Sequence, residues 1–598
     1  MASEFDDRVD EWRPDLDAAL IGLYGGDAAA LADDLVSRAR DAHADRPTEL
    51  QALDRRRTAS PYWYQAPERV GYMAYVDRFG GDLAGVRKRI SYLQELGVDT
   101  LHLLSLMQPR HGDNDGGYAI RDYLRPDERL GTPADLADLI DDLRAGGISL
   151  CADFILNHTA DDHEWAVAAA GGSAYHQSLY RTFPDRTEPD LWEASLPEVF
   201  PNLSPGNFTW NAQMERWVWT TFREFQWDLD WSNADVMREI ASIALDLANL
   251  GIDILRLDAV AFTWKRLGTN CQNQPEAHLV AQSLRAVLAL AAPATVLLAE
   301  AIVAPDDLVA YLGRHEFERR ECELAYHNQL MVQGWSMVAS GRADLALHSV
   351  ARLPAVPNRA SWFTYVRCHD DIGWAIDDTD AASVGLTGQA HRAYLAAFYR
   401  GDFPGSFARG LAFGRNTITG DERTSGMTAT LAGVTVALQG DDSLALDEAI
   451  DRILLLYGIA FGYGGIPIVY MGDELGQGDD TDWLRDQDEV ADSRWTHRPA
   501  FDDVLAGRRH DRSTVTGRVW AGIRHLVEAR RTCLPLHDDG ATVTPFDPGV
   551  PSVFAWHRSH PRYGEFVGLA NVGGIVDVAA HPAIDLHAVD LLAPDDTL

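Results

Sequence analysis

The stretch Gly251-Ile-Asp-Ile-Leu-Arg-Leu-Asp-Ala-Val260 has the pattern of a buried parallel strand with polar residues at its carboxyl end. Apolar residues dominate it, as expected for a strand covered on both faces. Arg256 and Asp258 lie two residues apart, so both side chains project from the same face. An arginine beside a carboxylate keeps that carboxylate ionised at neutral pH, as a nucleophile requires. Asp258 is the candidate nucleophile, and a structural ion pair with Arg256 is the alternative for this strand taken alone.

Three further apolar stretches carry polar residues where each predicted strand ends. Structural ion pairs in the core are a poor explanation for four strands that each end in polar residues. An active site on the top face of a (β/α)₈ barrel requires such strand ends. The stretches are 295–301, which delivers Glu300; 361–371, which delivers His369, Asp370 and Asp371; and 151–158, which delivers Asn157 and His158.

Strand and helix patterns alternate from residue 70 onward, which predicts parallel pairing with right-handed crossovers. The predicted fold class is therefore α/β, a (β/α)₈ TIM barrel with two insertions, an N-terminal helical domain and a C-terminal β-sandwich. The eight predicted barrel strands are Val70–Tyr75, Thr100–Leu106, Leu150–Asn157, Ile252–Asp258, Val296–Ala301, Cys322–Tyr326, Trp362–His369 and Ile466–Met471.

The parts of the chain follow from where this alternation starts, stops and is interrupted. Residues 1–66 show helical spacing and are interpreted as a domain packed on the barrel rather than as a partner-binding module. The barrel occupies 67–157, 232–371 and 438–535, and the C-terminal β domain, possibly incomplete, occupies 536–598. Two insertions, 158–231 and 372–437, interrupt the barrel. Insertions of this length are normally functional.

The net charge of −38 excludes partners that are themselves strongly anionic. Such a surface repels nucleic acid and anionic membranes and suits a neutral substrate. No apolar run of about 18 residues appears, and the acidic first residues lack the features of a signal peptide, so we expect a cytoplasmic protein. The five cysteines are far apart and are expected to be reduced thiols. We expect no cofactor and no metal site, and a monomer or homodimer.

Six motifs together are specific to one family. They are GYMAYVDRF (71–79), DNDGGYA (113–119), RWVWTTFREFQWDLDWSN (216–233), GIDILRLDAVAFTWK (251–265), RCHDDIGW (367–374) and ADSRWTHRP (491–499). On these motifs the chain resembles the amylosucrase branch of the α-amylase family of glycoside hydrolases, which contains amylosucrases and sucrose hydrolases, over nearly its whole length. The resemblance implies that 158–231 is the family's domain B and that 372–437 is the second insertion of this branch.

Glycoside cleavage with retention needs one ionised and one protonated carboxyl group. Asp258 beside Arg256 suits attack on the anomeric carbon. Glu300 has apolar neighbours in sequence, which raise a carboxyl pKa and suit the general acid. His369 and Asp370, the third catalytic candidate, suit hydrogen bonds to sugar hydroxyls that strengthen in the transition state. His158 is expected to hold the hydroxymethyl group; each histidine alone would more often be structural.

The resemblance also implies a pocket with a closed end. Asp115 would pair with Arg494 behind one glucosyl ring, so that single residues are removed from a chain end, and Tyr118 would stack on the sugar. Without the resemblance, Asp115 lies in a Gly-rich turn. The positions that would shape the fructosyl and acceptor sites are Phe200, Phe222, Gln226, Asp371, Arg392 and Arg423.

Three functions remain open from the sequence. The first is an amylosucrase, which transfers glucose from sucrose to the end of an α-1,4-glucan acceptor. The second is a sucrose hydrolase, which shares its chemistry up to the glycosyl-enzyme. The third, an inactive carbohydrate-binding protein, has no use for Asp258, Glu300 and Asp370 together. Pro197 stands where some relatives carry an arginine, which affects acceptor binding rather than the chemistry.

Overall fold

Eight parallel strands close into a barrel in the computed structural model, which describes residues 4–301, 303–313, 320–416, 419–485, 492–574, 590 and 592. Each strand pairs with its neighbours in chain order, and the eighth pairs with the first. The predicted (β/α)₈ barrel is confirmed. The strands are β1 Gly71–Tyr75, β2 Thr100–Leu104, β3 Ser149–Ile155, β4 Ile254–Asp258, β5 Val296–Ala299, β6 Leu324–Tyr326, β7 Ser361–Tyr365 and β8 Ile466–Tyr470.

Strand β7 is shorter than predicted, which changes how its polar residues are held. It ends at Tyr365, whereas the sequence predicted a strand that runs to His369. Pairing with β8 stops there, and the buried Arg367 donates to the carbonyl oxygens of Gly426 (2.9 Å) and Asp370 (2.8 Å). Residues 366–371 are thus a loop fixed by Arg367. Strand β3 likewise ends at Ile155, before Asn157 and His158.

The crossover helices start and stop at recognisable sequence signals. Helix Pro133–Ala145 has proline in its first turn and a capping box between Thr132 and Asp135. Helix Ala234–Leu250 is capped by Asn233 and ends at Gly251, whose left-handed φ of 102° turns the chain into β4. The other crossover helices are Val76–Phe79, Leu83–Lys88, Ile90–Leu96, Pro275–Ala291, Pro305–Leu308, Asn328–Ser340, Asp344–Ala351, Ser443–Tyr463, Asp503–Gly507 and Val515–Thr532.

The N-terminal residues form three helices that pack on the barrel's outer helices. Arg46, buried with its partner Asp54, donates to the carbonyl oxygen of Ala248 (2.8 Å). Arg57 pairs with Asp253 (2.5 Å), directly before β4. These contacts favour the packed-domain interpretation. The helices are α1 Glu4–Tyr24, α2 Ala28–Asp45 and α3 Thr48–Ala59.

Two segments leave the barrel at its carboxyl-terminal end. The first follows β3 and holds helices Glu164–Ala170, Ala174–Ser178 and Thr187–Glu193, the three-stranded sheet of Thr182–Phe183, Phe208–Asn211 and Arg216–Trp219, and the pair His158–Ala160 with Gln226–Asp228. The second follows β7 and holds helices Asp378–Ser383, Gly388–Arg400, Thr428–Ala432 and Val434–Gly440 and the hairpin of Leu411–Phe413 with Arg423–Ser425. A shorter hairpin after β2 pairs Met107–Pro109 with Ile120–Pro126.

The C-terminal region contains one antiparallel sheet in the part that the structure describes. Its strands are Thr542–Phe546, Val553–His560 and Gly564–Asn571. Trp556 packs against helix Ser443–Tyr463 and donates to the carbonyl oxygen of Gly462 (2.9 Å). The rest of the predicted β-sandwich falls on residues outside those described.

Two expectations from composition can be compared with this fold. All five cysteines are free thiols; four are buried and Cys368 is half-buried. Among the described helices, none has both the length and the apolarity that crossing a membrane would require.

Candidate active site

Asp258 and Glu300 lie side by side at the carboxyl ends of adjacent strands. Leu257 of β4 is in register with Ala299 of β5, so the residue after each is an acid. Neighbouring strands run about 4.8 Å apart, a separation that suits the short carboxyl spacing of a retaining glycosidase. Glu300 Oε2 accepts a hydrogen bond from the backbone N–H of Ala259 (2.8 Å). Ala259 has a left-handed φ of 54°, a strained geometry typical of active-site turns.

A buried guanidinium fixes the candidate nucleophile. Arg256 Nη1 donates to Asp258 Oδ1 (2.5 Å) and to Asp153 Oδ1 (2.9 Å). His102 lies 3.2 Å from Asp153 Oδ1, and the backbone N–H of Ser105 donates to Asp153 Oδ2 (3.1 Å). The predicted pairing of Arg256 with Asp258 is present. Asp153 and His102, inside the predicted strands, were not singled out because residues within a strand carry no signal of facing a site.

Burial shifts the pKa of both acids in the same direction, and Arg256 opposes the shift in each. Burial raises the pKa of Glu300 to about 7; Asp258 adds to this rise, and Arg256 opposes it. Burial also raises the pKa of Asp258 above its ordinary value, because it outweighs the opposing charge of Arg256. This rise runs against the expectation from sequence, in which Arg256 keeps the Asp258 carboxylate ionised.

Tyr118, His369 and Asp370 form one wall beside these acids. The Tyr118 hydroxyl lies 2.7 Å from His369 Nε2, and the two rings stack with centroids 5.3 Å apart. His369 Nε2 is also 3.5 Å from Asp370 Oδ2. Burial, with Arg256 and Arg498 nearby, lowers the pKa of His369 well below its ordinary value. The imidazole is therefore neutral and suits hydrogen bonding to an uncharged hydroxyl.

Asp115 and Arg494 meet as predicted, although they are far apart in sequence. Arg494 Nη2 donates to Asp115 Oδ1 (2.7 Å), and both side chains are buried. Asp492, which the sequence did not single out, accepts from Arg494 Nε (3.0 Å) and Nη2 (2.5 Å). Although burial acts to raise the pKa of Asp492, the charges of Arg494 and Arg498 outweigh it and lower this pKa to about 2. One guanidinium thus contacts two buried carboxyl groups.

Aromatic rings from both insertions surround this ion pair. The Arg494 guanidinium carbon lies 5.0 Å from the centroids of both Phe200 and Phe413. The Phe200 ring also contacts Phe222, with centroids 6.2 Å apart. Phe413 was missed, because a lone phenylalanine in an insertion gives no sequence signal. Arg423, opposite Phe413 in the hairpin, lies 5.9 Å from the Phe200 ring and 3.8 Å from Asp371.

Two further predicted residues join the site from the side of the first insertion. His158 Nε2 lies 3.0 Å from the Tyr118 carbonyl oxygen, and its ring packs on Phe222. Gln226 Nε2 donates to Asp115 Oδ2 (3.4 Å). Both side chains are buried, so they shape the pocket wall.

Arg392 is the predicted residue that the structure does not bring to this cluster. Its guanidinium pairs with Asp378 and Asp421 (2.9 Å each) and donates to the carbonyl oxygen of Ile376 (2.8 Å). These partners all belong to the second insertion. The contacts of Arg392 therefore organise that insertion.

Several buried polar atoms of the site have no hydrogen-bond partner among the described residues. They are the Tyr75 hydroxyl, His369 Nδ1, Arg498 Nη1 and Gln226 Oε1. Leaving such groups unsatisfied costs about 1–3 kcal/mol each. Cys368, His369 and Asp370 also place potential metal-ligand atoms within 4.8 Å of one another. His369 and Asp370 are also the residues that the sequence predicted to contact sugar hydroxyls.

Comparisons with known proteins agree with this geometry. The family model described as "Alpha amylase, catalytic domain" matches residues 39–383. The trehalose synthase/amylase TreS of Mycolicibacterium smegmatis is 29% identical over 460 residues, which cover 75% of this chain and 68% of that protein. The glucosylglycerate phosphorylase of Escherichia coli is 24% identical over 488 residues, 81% of each chain.

A solved structure supports the fold. Sucrose 6F-phosphate phosphorylase from Thermoanaerobacter thermosaccharolyticum superposes with a TM-score of 0.59 at 18% sequence identity, over 84% of this chain and 98% of that one. At this identity the likeness concerns the fold alone.

Proposed function

This chain belongs to the alpha-amylase family, and from that premise we propose that it is a retaining glucosyltransferase of the amylosucrase branch. The proposed reaction cleaves sucrose, releases fructose and transfers glucose to the non-reducing end of an α-1,4-glucan such as glycogen. The catalytic residues would be Asp258, Glu300 and Asp370.

In the proposed mechanism Asp258 attacks the anomeric carbon and Glu300 protonates the glycosidic oxygen. The bond from this carbon to the fructosyl oxygen breaks, and fructose leaves with the proton of Glu300. Arg256 would orient Asp258, because the same Nη1 that donates to Asp258 is also held by Asp153. Glu300, now ionised, then takes a proton from the acceptor hydroxyl as that hydroxyl attacks the glucosyl-enzyme. Asp370 and His369 would hold the ring hydroxyls through both steps.

The observation that carries this proposal is the ion pair of Asp115 with Arg494. By the family resemblance, this buried pair would close one end of the pocket and leave room for a single glucosyl unit, so the enzyme would act on disaccharides and chain ends. The names of the similar proteins, trehalose synthase and glucosylglycerate phosphorylase, support small glucosyl donors in the same way.

A second candidate is supported by those relatives. An enzyme that returns the glucosyl unit to the sugar it has just released would make a new disaccharide, as the name trehalose synthase implies for the relative at 29% identity. This reaction uses the same glucosyl-enzyme, so Asp258 and Glu300 do not discriminate between the two candidates.

Product analysis separates the candidates. The purified protein is incubated with sucrose alone and, separately, with maltose alone, and all sugars are quantified by chromatography. We expect fructose and α-1,4-glucan from sucrose. Equal amounts of glucose and fructose would mean a hydrolase, trehalose from maltose would favour the second candidate, and no change in either sugar would refute the proposal.

A further inference from the structure

Two tryptophans lie opposite each other on an exposed hairpin of the first insertion. Trp210 on strand Phe208–Asn211 pairs directly with Trp217 on strand Arg216–Trp219. Their ring centroids are 5.6 Å apart and their planes are inclined at 58°. Trp210 is 44% exposed, which leaves a large aromatic surface in water. Single exposed apolar residues are common, but a paired aromatic surface suggests a binding site.

The hairpin has its own core, which does not need Trp210. Residues opposite or two apart share a face of the sheet, so Phe208 and Trp219 lie on the same face as the pair. Together with Phe183, Trp192 and Cys271 these residues form a closed apolar cluster. Trp210 lies outside that cluster. Trp217 packs against that cluster, whereas the exposed Trp210 is held on this framework without contributing to its core.

The two arginines beside the pair already have hydrogen-bond or ion-pair partners. Arg186 lies 4.8 Å from the Trp217 ring and forms ion pairs with Asp190 (2.7 Å) and Glu193. Arg216 donates to the hydroxyl (2.8 Å) and carbonyl (3.0 Å) oxygens of Thr182. A ligand would contact aromatic rings beside Arg186 and Arg216, whose guanidinium groups are held by other partners. This surface suits an uncharged molecule that has both apolar and hydroxylated sides.

We propose that Trp210 and Trp217 form a binding site for an α-1,4-glucan chain. Each glucosyl ring offers a face of C–H bonds that stacks on an aromatic ring. The α-1,4 linkage curves the chain, so successive rings meet planes that are inclined to each other, as these two are. The net charge of −38 disfavours nucleic acid or anionic lipid as the occupant.

The location gives the site a role that rests on the proposed function. The same insertion supplies Phe200 and Phe222 to the candidate active site. A glucan held on this insertion would keep its chain end near the pocket at a raised effective concentration. The acceptor would then be bound at two places on one element.

The test measures glucan binding without turnover. Asp258→Asn protein is run in native gels that contain increasing glycogen, and the dissociation constant is obtained from the retardation. Adding Trp210→Ala is expected to weaken binding at least fivefold, whereas adding Trp210→Phe should retain most of it. Tyr175→Ala is the matched control, because Tyr175 is 42% exposed in the same insertion but lies outside the hairpin; it should change nothing.

Unchanged retardation in Trp210→Ala, or an equal loss in Tyr175→Ala, would overturn the site. The alternative occupant is a second copy of the chain, which light scattering on the wild type and on Trp210→Ala would detect. A wild-type dimer that Trp210→Ala abolishes, and that glycogen does not affect, would also overturn the proposed glucan site. Sucrose cleavage by otherwise wild-type protein carrying Trp210→Ala should be unchanged without glucan. If the wild type cleaves no sucrose yet binds glycogen through Trp210, the proposed function fails and this site stands.

Discussion

At the residue scale, the two acids at Asp258 and Glu300 can be tested by replacement with their amides. Asp258→Asn removes the nucleophile and Glu300→Gln removes the proton donor, while both keep the side-chain shape. We expect each to lower kcat for sucrose by several orders of magnitude. Asp246→Asn, at an exposed position of helix Ala234–Leu250, is the control and should keep full activity. Substantial cleavage by a folded Asp258→Asn protein would contradict the assignment.

The pH dependence should report the raised pKa of Glu300. Since burial raises this pKa to about 7, Glu300 is protonated below that value and loses its catalytic proton above it. We expect kcat/KM for sucrose to fall above pH 7, by about tenfold per pH unit at the limit. With α-glucosyl fluoride, whose leaving group needs no proton, kcat/KM should stay flat over this range. A descending limb of equal steepness with both donors would argue against Glu300 as the acid.

The three-residue cluster of Asp115, Arg494 and Asp492 predicts unequal effects of single changes. Arg494→Met leaves two buried carboxylates without their cation, whereas Asp115→Asn leaves Arg494 paired with Asp492. Breaking a buried pair costs about 3–5 kcal/mol, so we expect Arg494→Met to lower the unfolding free energy by that order and Asp115→Asn by much less. Denaturant titration measures both.

In the proposed function the same cluster would form the closed end of the pocket. Asp115→Asn with Arg494→Met together should restore part of the lost stability, because one buried carboxylate has been neutralised. The double variant should also cut amylose internally, which the wild type should not. Internal cutting of amylose by the wild type would mean that the pair does not close the pocket.

At the element scale, Lys265 joins the first insertion to the barrel. Its buried Nζ lies 2.6 Å from Asp228 Oδ2 and 3.0 Å from Asn157 Oδ1, and it donates to the carbonyl oxygen of Phe262 (2.8 Å). Asn157 follows β3 and Phe262 follows β4, while Asp228 ends the insertion. One ammonium group thus satisfies oxygens from three segments around the site.

Replacing Lys265 should loosen this junction. Lys265→Met leaves the fully buried Asp228 without its cation, which we expect to cost about 3–5 kcal/mol of unfolding free energy and to expose the insertion to protease. Lys88, the chain's other lysine, is exposed, so Lys88→Met is the matched control and should change stability by less than about 0.5 kcal/mol. Equal effects of both variants would show that Lys265 is not a structural junction.

The elements also show what the sequence could predict. All eight barrel strands were found because apolar runs with polar ends identify buried parallel strands. Local patterns did not reveal that β7 stops at Tyr365, because Arg367 fixes the following loop by long-range hydrogen bonds. Asp153, Asp492, Phe413 and Lys265 were missed for a similar reason, since their roles depend on partners that the fold brings from distant segments.

At the scale of the whole molecule, the choice between transfer and hydrolysis depends on both insertions. Phe200 and Phe222 from the first insertion and Phe413 and Arg423 from the second form an aromatic wall beside Arg494. Such a wall can hold a sugar hydroxyl in attacking position, at an effective concentration that competes with about 55 M water. An enzyme built only to hydrolyse has no need to orient an acceptor.

We therefore expect glycogen to change the fate of the glucosyl unit. Added to sucrose, it should speed fructose release and lengthen glycogen chains, and free glucose should fall well below fructose. Phe413→Ala should raise the share of glucosyl units released as free glucose, while sucrose cleavage continues. The reason is that the Phe413 ring is part of the aromatic wall but contacts neither Asp258 nor Glu300 in the described structure. Phe403→Ala, an exposed residue of the same insertion, is the control. If glucose appears mole for mole with fructose at every glycogen concentration, the insertions only line the donor pocket and the protein is a hydrolase.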